Sequence, residues 1–249
     1  MNYPGRIIDA HLHIGSSPGF KPHTTKSTER ILDTIDSGLV SVLCAGEHKQ
    51  TFANQDIINF HHRHPQQIWG CLWINPQKKW QNQPLNDPAF KAIKLHPDEN
   101  QYSPTTEILE QVFVKAQQLG KPIFIHTSVK SNPSLFENLL KDFSEVKVIL
   151  SHMKPFSEST KLAKKYNQVY LDTAYCPVAE VARAVSTCGA NKVIFGSDYP
   201  DISPFRSLAG RDLHQAYQKL VLSFVQNKKL FPADLEQIMC QNAARIFDL

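Results

Sequence analysis

Ile7-Ile8-Asp9-Ala10-His11-Leu12-His13 closes a short apolar run with two histidines one residue apart. In an extended strand alternate side chains share a face, so this spacing predicts Asp9, His11 and His13 on one side. Two neutral imidazoles held that way can grip a divalent metal ion, and carboxylates or further histidines can complete its shell. One such pair says little alone. Its weight comes from later runs that end alike: Ile123-Phe124-Ile125-His126, Val148-Ile149-Leu150-Ser151-His152 and Val193-Ile194-Phe195-Gly196-Ser197-Asp198. Four histidines and an aspartate at apolar strand ends predict a metal site.

Working outward, eight short runs rich in Val, Ile, Leu and Phe lack clean polar alternation, the pattern of strands buried on both faces. They cover residues 6–13, 39–46, 68–74, 91–96, 122–126, 147–152, 168–173 and 192–198. Between and after them, helical spacing covers 27–37, 54–64, 105–119, 133–143, 158–166, 178–188, 206–226 and 232–247, while 76–88 reads as a loop. Strand–helix alternation of this kind builds a parallel sheet with helical crossovers. Eight units in 249 residues predict a single-domain (β/α)8 TIM barrel spanning 1–249. An open doubly wound sheet is the alternative. The barrel is preferred because the polar ends of strands one, four, five, six and eight converge at a barrel mouth, whereas in an open sheet the first and last strands stand too far apart to share an ion.

Composition narrows the partners. With 41% hydrophobic and 20% charged residues and a net charge of +4, the chain reads as an ordinary globular protein. Lys and Arg are scattered, which leaves no nucleic-acid footprint. No apolar run approaches the ~18 residues of a membrane span. The five cysteines form no C-x-x-C pair, and the first strand starts too early for a signal peptide, so a soluble cytoplasmic protein is expected.

Taken together, Asp9-Ala10-His11-Leu12-His13, Lys94-Leu95-His96-Pro97, His126, His152 and Gly196-Ser197-Asp198-Tyr199-Pro200 resemble the metal-dependent amidohydrolase superfamily. The nearest branch is the amidohydrolase-2 group, which includes relatives of aminocarboxymuconate-semialdehyde decarboxylase. Gln241-Asn242-Ala243-Ala244-Arg245-Ile246-Phe247 is similar to that group's last helix. The resemblance implies that His11, His13 and His126 ligate the metal, that Asp198 is a ligand or the proton acceptor, and that His152 faces the water or the substrate. DNase-like TatD relatives carry a metal-bridging glutamate on the fourth strand. The motif here has none, and Lys94 is the nearest residue to a bridge, by analogy with carbamylated lysines in other branches.

The remaining residues have more than one reading. Lys94 and His96 share a face, and both are candidate substrate-binding groups; Lys94 is otherwise a carbamylated bridge or a structural ion pair. His61, His62 and His64 close a helix, where cationic side chains favour the dipole, and read as a solvated end. Arg206 and Arg211 stand where a loop can meet an acidic substrate, although either is equally a surface arginine.

The histidine-rich set makes Zn²⁺ the expected ion, one per chain, with a second only if Lys94 is carbamylated. The resulting expectation is a hydrolase that attacks an amide, lactone or ester-like bond of a small molecule through a metal-activated water, with Asp198 moving the proton. A non-oxidative decarboxylase is the alternative, a deoxyribonuclease less so, and a closed, non-catalytic metal site the blandest reading. A homodimer is the default for an enzyme of this size.

Overall fold

The apolar runs form eight parallel strands in a computed structural model that describes residues 5–16, 23–44, 54–202 and 212–249. They are β1 (Ile8–Ser16), β2 (Ser37–Cys44), β3 (Ile68–Ile74), β4 (Phe90–Leu95), β5 (Ile123–His126), β6 (Val148–Ser151), β7 (Val169–Asp172) and β8 (Val193–Ile194). Each pairs with the next in chain order. The ring closes where Ala10 N–H donates to Phe195 O at 2.9 Å, Asp198 N–H to His11 O at 2.9 Å and His13 N–H to Tyr199 O at 2.8 Å. Helices stand between the strands, including Asn54–Arg63, Thr106–Leu119, Phe156–Lys165 and Val178–Cys188. This is a (β/α)8 barrel.

Period-two alternation explains where the site lies. Leu39, Cys71, Ala92, Phe124, Ile149 and Ile194 point into the barrel and form an apolar layer with Ile8 and Ala10. Two residues further along those strands come Ser41, Trp73, Lys94, His126, Ser151 and Gly196, so a mostly polar layer rests directly on the apolar one. The opposite faces, among them Val40, Leu72, Ile93, Ile125, Leu150 and Val193, pack beneath the helices.

β1 departs from the simple pattern. Its register against β2 shifts between Asp9 and Leu12. The bulge puts Ala10 in the apolar layer and His11 in the site, so consecutive residues face inward. Asp9 therefore does not share a face with His11 and His13, contrary to the strict alternation expected from sequence. Its carboxylate is fully buried and accepts His11 N–H at 3.1 Å, Ser197 N–H at 3.0 Å and Tyr217 O–H at 3.0 Å. Asp9 replaces the ladder bonds that the bulge loses and ties β1 to the segment after β8.

Two helical segments also differ from expectation. In place of a helix over 27–37 there is one turn, Thr25–Thr28, followed by a 3-10 turn at Glu29–Ile31, because β2 already begins at Ser37. His61 is buried rather than solvated: its Nδ1 meets Ile68 O at 2.6 Å and its ring lies 4.6 Å from that of Trp69. His62 beside it is exposed. By contrast Gly120 ends helix Thr106–Leu119 as expected, with a φ of 63° that suits glycine.

The final helical segment seals the barrel from below. Pro232–Glu236 and Asn242–Phe247 are α-helical, with a π turn at Gln237–Gln241 between them. In the π turn the carbonyl of Ile238 accepts Phe195 N–H at 2.9 Å. Asn242 Nδ2 donates to Ala190 O and Val193 O, both at 2.8 Å. Ala243, Ile246 and Phe247 then cover the apolar layer, and Phe247 stacks on Phe124 at 5.6 Å between ring centres. Cys71, Cys176, Cys188 and Cys240 are free thiols, and among the described residues no helix is long and apolar enough to cross a membrane.

Candidate active site

Three strand ends bring donor atoms to one point. His11 Nε2 lies 3.0 Å from His13 Nε2 and 3.3 Å from Asp198 Oδ1, and His13 Nε2 lies 3.1 Å from the same oxygen. A tetrahedral ion with bonds of about 2.1 Å needs ligand atoms roughly 3.4 Å apart. The triangle is therefore close to the size a zinc-like cation requires. His152 stands next to it: ligand atoms of His11, His152 and Asp198 all lie within 4.8 Å of one another. The donor chemistry and spacing fit a divalent metal ion.

The rings are oriented from behind. His11 Nδ1 is 2.7 Å from Asp172 Oδ2. A carboxylate only accepts, so Nδ1 carries the proton and Nε2 turns its lone pair toward the triangle. His13 Nδ1 pairs with Ser41 Oγ at 2.8 Å. Burial pushes the His13 imidazole down to about 4 and that of His152 to about 3, so both are neutral at physiological pH. For Asp198, burial by itself raises the carboxyl pKa; His11, His13 and His152 around it outweigh that and hold it well below the ordinary range.

The backbone is bent to aim these groups. His152 and Asp198 follow β6 and β8 with φ of 69° and 62°, the left-handed region that non-glycine residues rarely enter. Each such residue costs on the order of 1–3 kcal/mol, the kind of strain that collects at functional sites. Gly196 has a separate reason: a Cβ there would stand 2.7 Å from the Cβ of His11.

His126, expected as a ligand, lines the same cavity, where it meets other side chains. Its ring lies flat on His96 at 3.8 Å, and His96 stacks on Trp73 at 5.1 Å. His152 Nδ1 faces Ala174 O at 3.2 Å, so it holds the proton there and His152 Nε2 accepts from His126 Nδ1 at 3.1 Å. The other nitrogen of His126 is 3.6 Å from Asp98 Oδ2. Its Nδ1 is thus engaged with His152 rather than with the triangle.

Lys94 is buried at the triangle's edge, with Nζ 2.9 Å from His11 Nε2 and 3.4 Å from Ser151 Oγ. Burial lowers its pKa while Asp172 and Asp198 work against that. His96 caps the short helix Pro97–Asn100, its Nδ1 accepting Glu99 N–H at 3.2 Å. Both residues line a cavity of about 310 Å³ above the triangle. Lys154, Tyr175 and Asp201 form its rim, with the Tyr175 hydroxyl donating to Asp201. Arg206 and Arg211 lie outside the described residues.

Sequence reasoning missed Asp172, which is fully buried at the end of β7. The signal was present: Val169-Tyr170-Leu171-Asp172 ends an apolar run in a carboxylate, as the eighth run does. Ser41 carried no comparable signal, because a serine in a strand is common.

A site of this kind at the mouth of such a barrel defines an amidohydrolase-type enzyme. The family model for amidohydrolases matches residues 8–249, and the chain belongs to that family, in its amidohydrolase-2 branch. Among solved structures it is similar to a probable 2-pyrone-4,6-dicarboxylic acid hydrolase from Acinetobacter baumannii with citric acid bound. That match has 16% identity and a TM-score of 0.71, and covers 98% of this chain and 100% of the other. The 4-oxalomesaconate hydratase of Rhodopseudomonas palustris matches with 18% identity and a TM-score of 0.69, over 97% and 95% of the two chains. The 5-carboxyvanillate decarboxylase of Sphingomonas paucimobilis matches with 14% identity and a TM-score of 0.66, over 98% and 99%. At these identities the likeness is one of fold. A search of curated proteins by sequence finds no match.

Proposed function

We propose that the chain is a metal-dependent hydrolase of an amide, lactone or ester-like bond in a small molecule, with His11, His13 and Asp198 holding one divalent ion, Zn²⁺ by its donor set. The observation that carries this reading is the triangle of His11 Nε2, His13 Nε2 and Asp198 Oδ1, with sides of 3.0–3.3 Å at the floor of the cavity. Such an ion supplies a Lewis acid and makes water acidic enough to attack at neutral pH. Asp198, ionised in its ring of imidazoles, accepts the proton of the attacking water and returns it to the leaving group.

His152 takes a narrower part than its residue type suggests. With its proton on Nδ1 facing Ala174, its Nε2 is an acceptor that His126 Nδ1 occupies, so it cannot donate to an oxyanion. Lys94 is the buried donor at the same floor and binds the substrate's carbonyl or carboxylate oxygen. His96 presents the stacked wall against which the substrate lies.

Elemental analysis of the unchelated protein, followed by hydrolysis assays on a panel of small esters, lactones and amides, tests the proposal. Bound Zn²⁺, with ¹⁸O from labelled water entering a product, supports it. A chain that neither carries nor takes up a divalent ion sinks it. Lys94 favours one second reading, because a buried cation beside the donor triangle suits a carboxylate, as a non-oxidative decarboxylase requires. CO₂ release without ¹⁸O incorporation into the other product selects that reaction.

A further inference from the structure

Asp172 makes more directed contacts than any single hydrogen bond to His11 requires. Its Oδ1 accepts two backbone N–H groups, from His152 at 2.9 Å and from Ala174 at 3.1 Å. Its Oδ2 meets His11 Nδ1 at 2.7 Å, and the residue has no exposed surface. The first of the backbone bonds fastens His152 in its left-handed conformation. Two residues on, the carbonyl of Ala174 receives His152 Nδ1 at 3.2 Å. The end of β7 therefore touches the histidines of β1 and β6 at the nitrogen that faces away from the cavity.

We propose that the end of β7 sets the tautomers of the site, Asp172 that of His11 and Ala174 that of His152, and that Asp172 is the positioning residue which keeps the lone pair of His11 Nε2 aimed at the donor triangle. The proposal rests on the reading of His11 as a ligand, but its central claim concerns the metal-free chain. Lys94 Nζ faces the other nitrogen, His11 Nε2, at 2.9 Å, where an N–H of the lysine can donate to the lone pair.

The chemistry makes Asp172→Asn a sharp substitution. Two backbone donors pin the side-chain oxygen that faces them, so the amide NH₂ must take the place of Oδ2. An NH₂ group donates, so His11 Nδ1 would have to accept, and the ring proton moves to Nε2. There it points into the triangle and blocks the lone pair. Turning the amide over would instead set its NH₂ against two backbone N–H groups and forfeit both bonds, which is worse.

The test is ¹⁵N NMR of the histidine-labelled, metal-free protein at neutral pH. Wild type is expected to show His11 protonated on Nδ1 and bare on Nε2. Asp172→Asn is expected to show the reverse, while His152 stays protonated on Nδ1 in both. Zn²⁺ alone, titrated against a chelating dye, should bind the variant about 10- to 100-fold more weakly. In the neutral ring, a wild-type His11 protonated on Nε2 and bare on Nδ1 overturns the proposal, as does an Asp172→Asn protein with unchanged tautomer and affinity. The wild-type spectrum decides even if the variant fails to fold. It also decides if wild type binds no Zn²⁺, an outcome that would sink the proposed reaction without touching the role of Asp172.

Discussion

Replacing Asp198 with asparagine keeps the outline of the site and removes the charge that His11 and His13 face at 3.3 and 3.1 Å. The bound ion should be lost on elemental analysis, and turnover should fall by about 10²- to 10⁴-fold, the usual worth of a positioned base. His126→Ala is the contrast. Because its Nδ1 is taken by His152, its removal should leave the ion in place; loss of the ion from that variant would return His126 to the ligand set. Gly196→Ala probes the close approach of the segment after β8 to His11. The new Cβ would press on the Cβ of His11 at 2.7 Å, and urea melts should show a loss of about 1–3 kcal/mol. A variant as stable as wild type would mean that β1 can yield there.

At the scale of elements, the strands were readable because barrel strands are buried on both faces, so apolar runs such as Pro122-Ile123-Phe124-Ile125-His126 stand out whatever surrounds them. Their polar ends pointed to the mouth, and His11, His13, Lys94, His96, His126, His152 and Asp198 do line one cavity there. The bulge in β1 was not readable: it depends on Asp9 bonding to Tyr217, 208 positions along the chain, and no local spacing records that. The orientation of His126 was hidden likewise, since it lies on His96, itself stacked on Trp73, and neither is near it in sequence. The last helical segment was legible as a helix but its π turn was not, because the tertiary bond from Phe195 to Ile238 accompanies it. Asn242 gives this element a test. Asn242→Ala removes the side-chain bonds to both Ala190 O and Val193 O, of which Ala190 O keeps Val193 N–H, for an expected loss of about 1–3 kcal/mol in denaturant titration. An unchanged midpoint would mean that apolar packing alone seats the helix.

For the whole molecule, buried titratable groups make stability depend on pH. Burial depresses His13 and His23 to about 4 and His152 to about 3, against 6.5 for the free side chain. Between those values the unfolded chain binds protons that the folded one refuses, so each histidine makes stability fall on acidification. Asp9 acts in reverse: raised from 3.8 to about 6, it holds a proton in the folded state that the unfolded state releases. Burial lowers His96 and His126 as well, so five histidines oppose one carboxylate and the chelator-treated protein should lose stability steadily from pH 7 to 4.5, as read from urea midpoints. A flat or rising profile would show that these histidines are charged when folded. The helical segment under the barrel has a further consequence. Phe247 lies on Phe124, whose ring is 5.9 Å from that of His11, so the underside of the catalytic floor is supplied by residues synthesised after all eight strands. On the ribosome the nascent barrel is an open cup, with its inner apolar layer exposed to water until this stopper arrives.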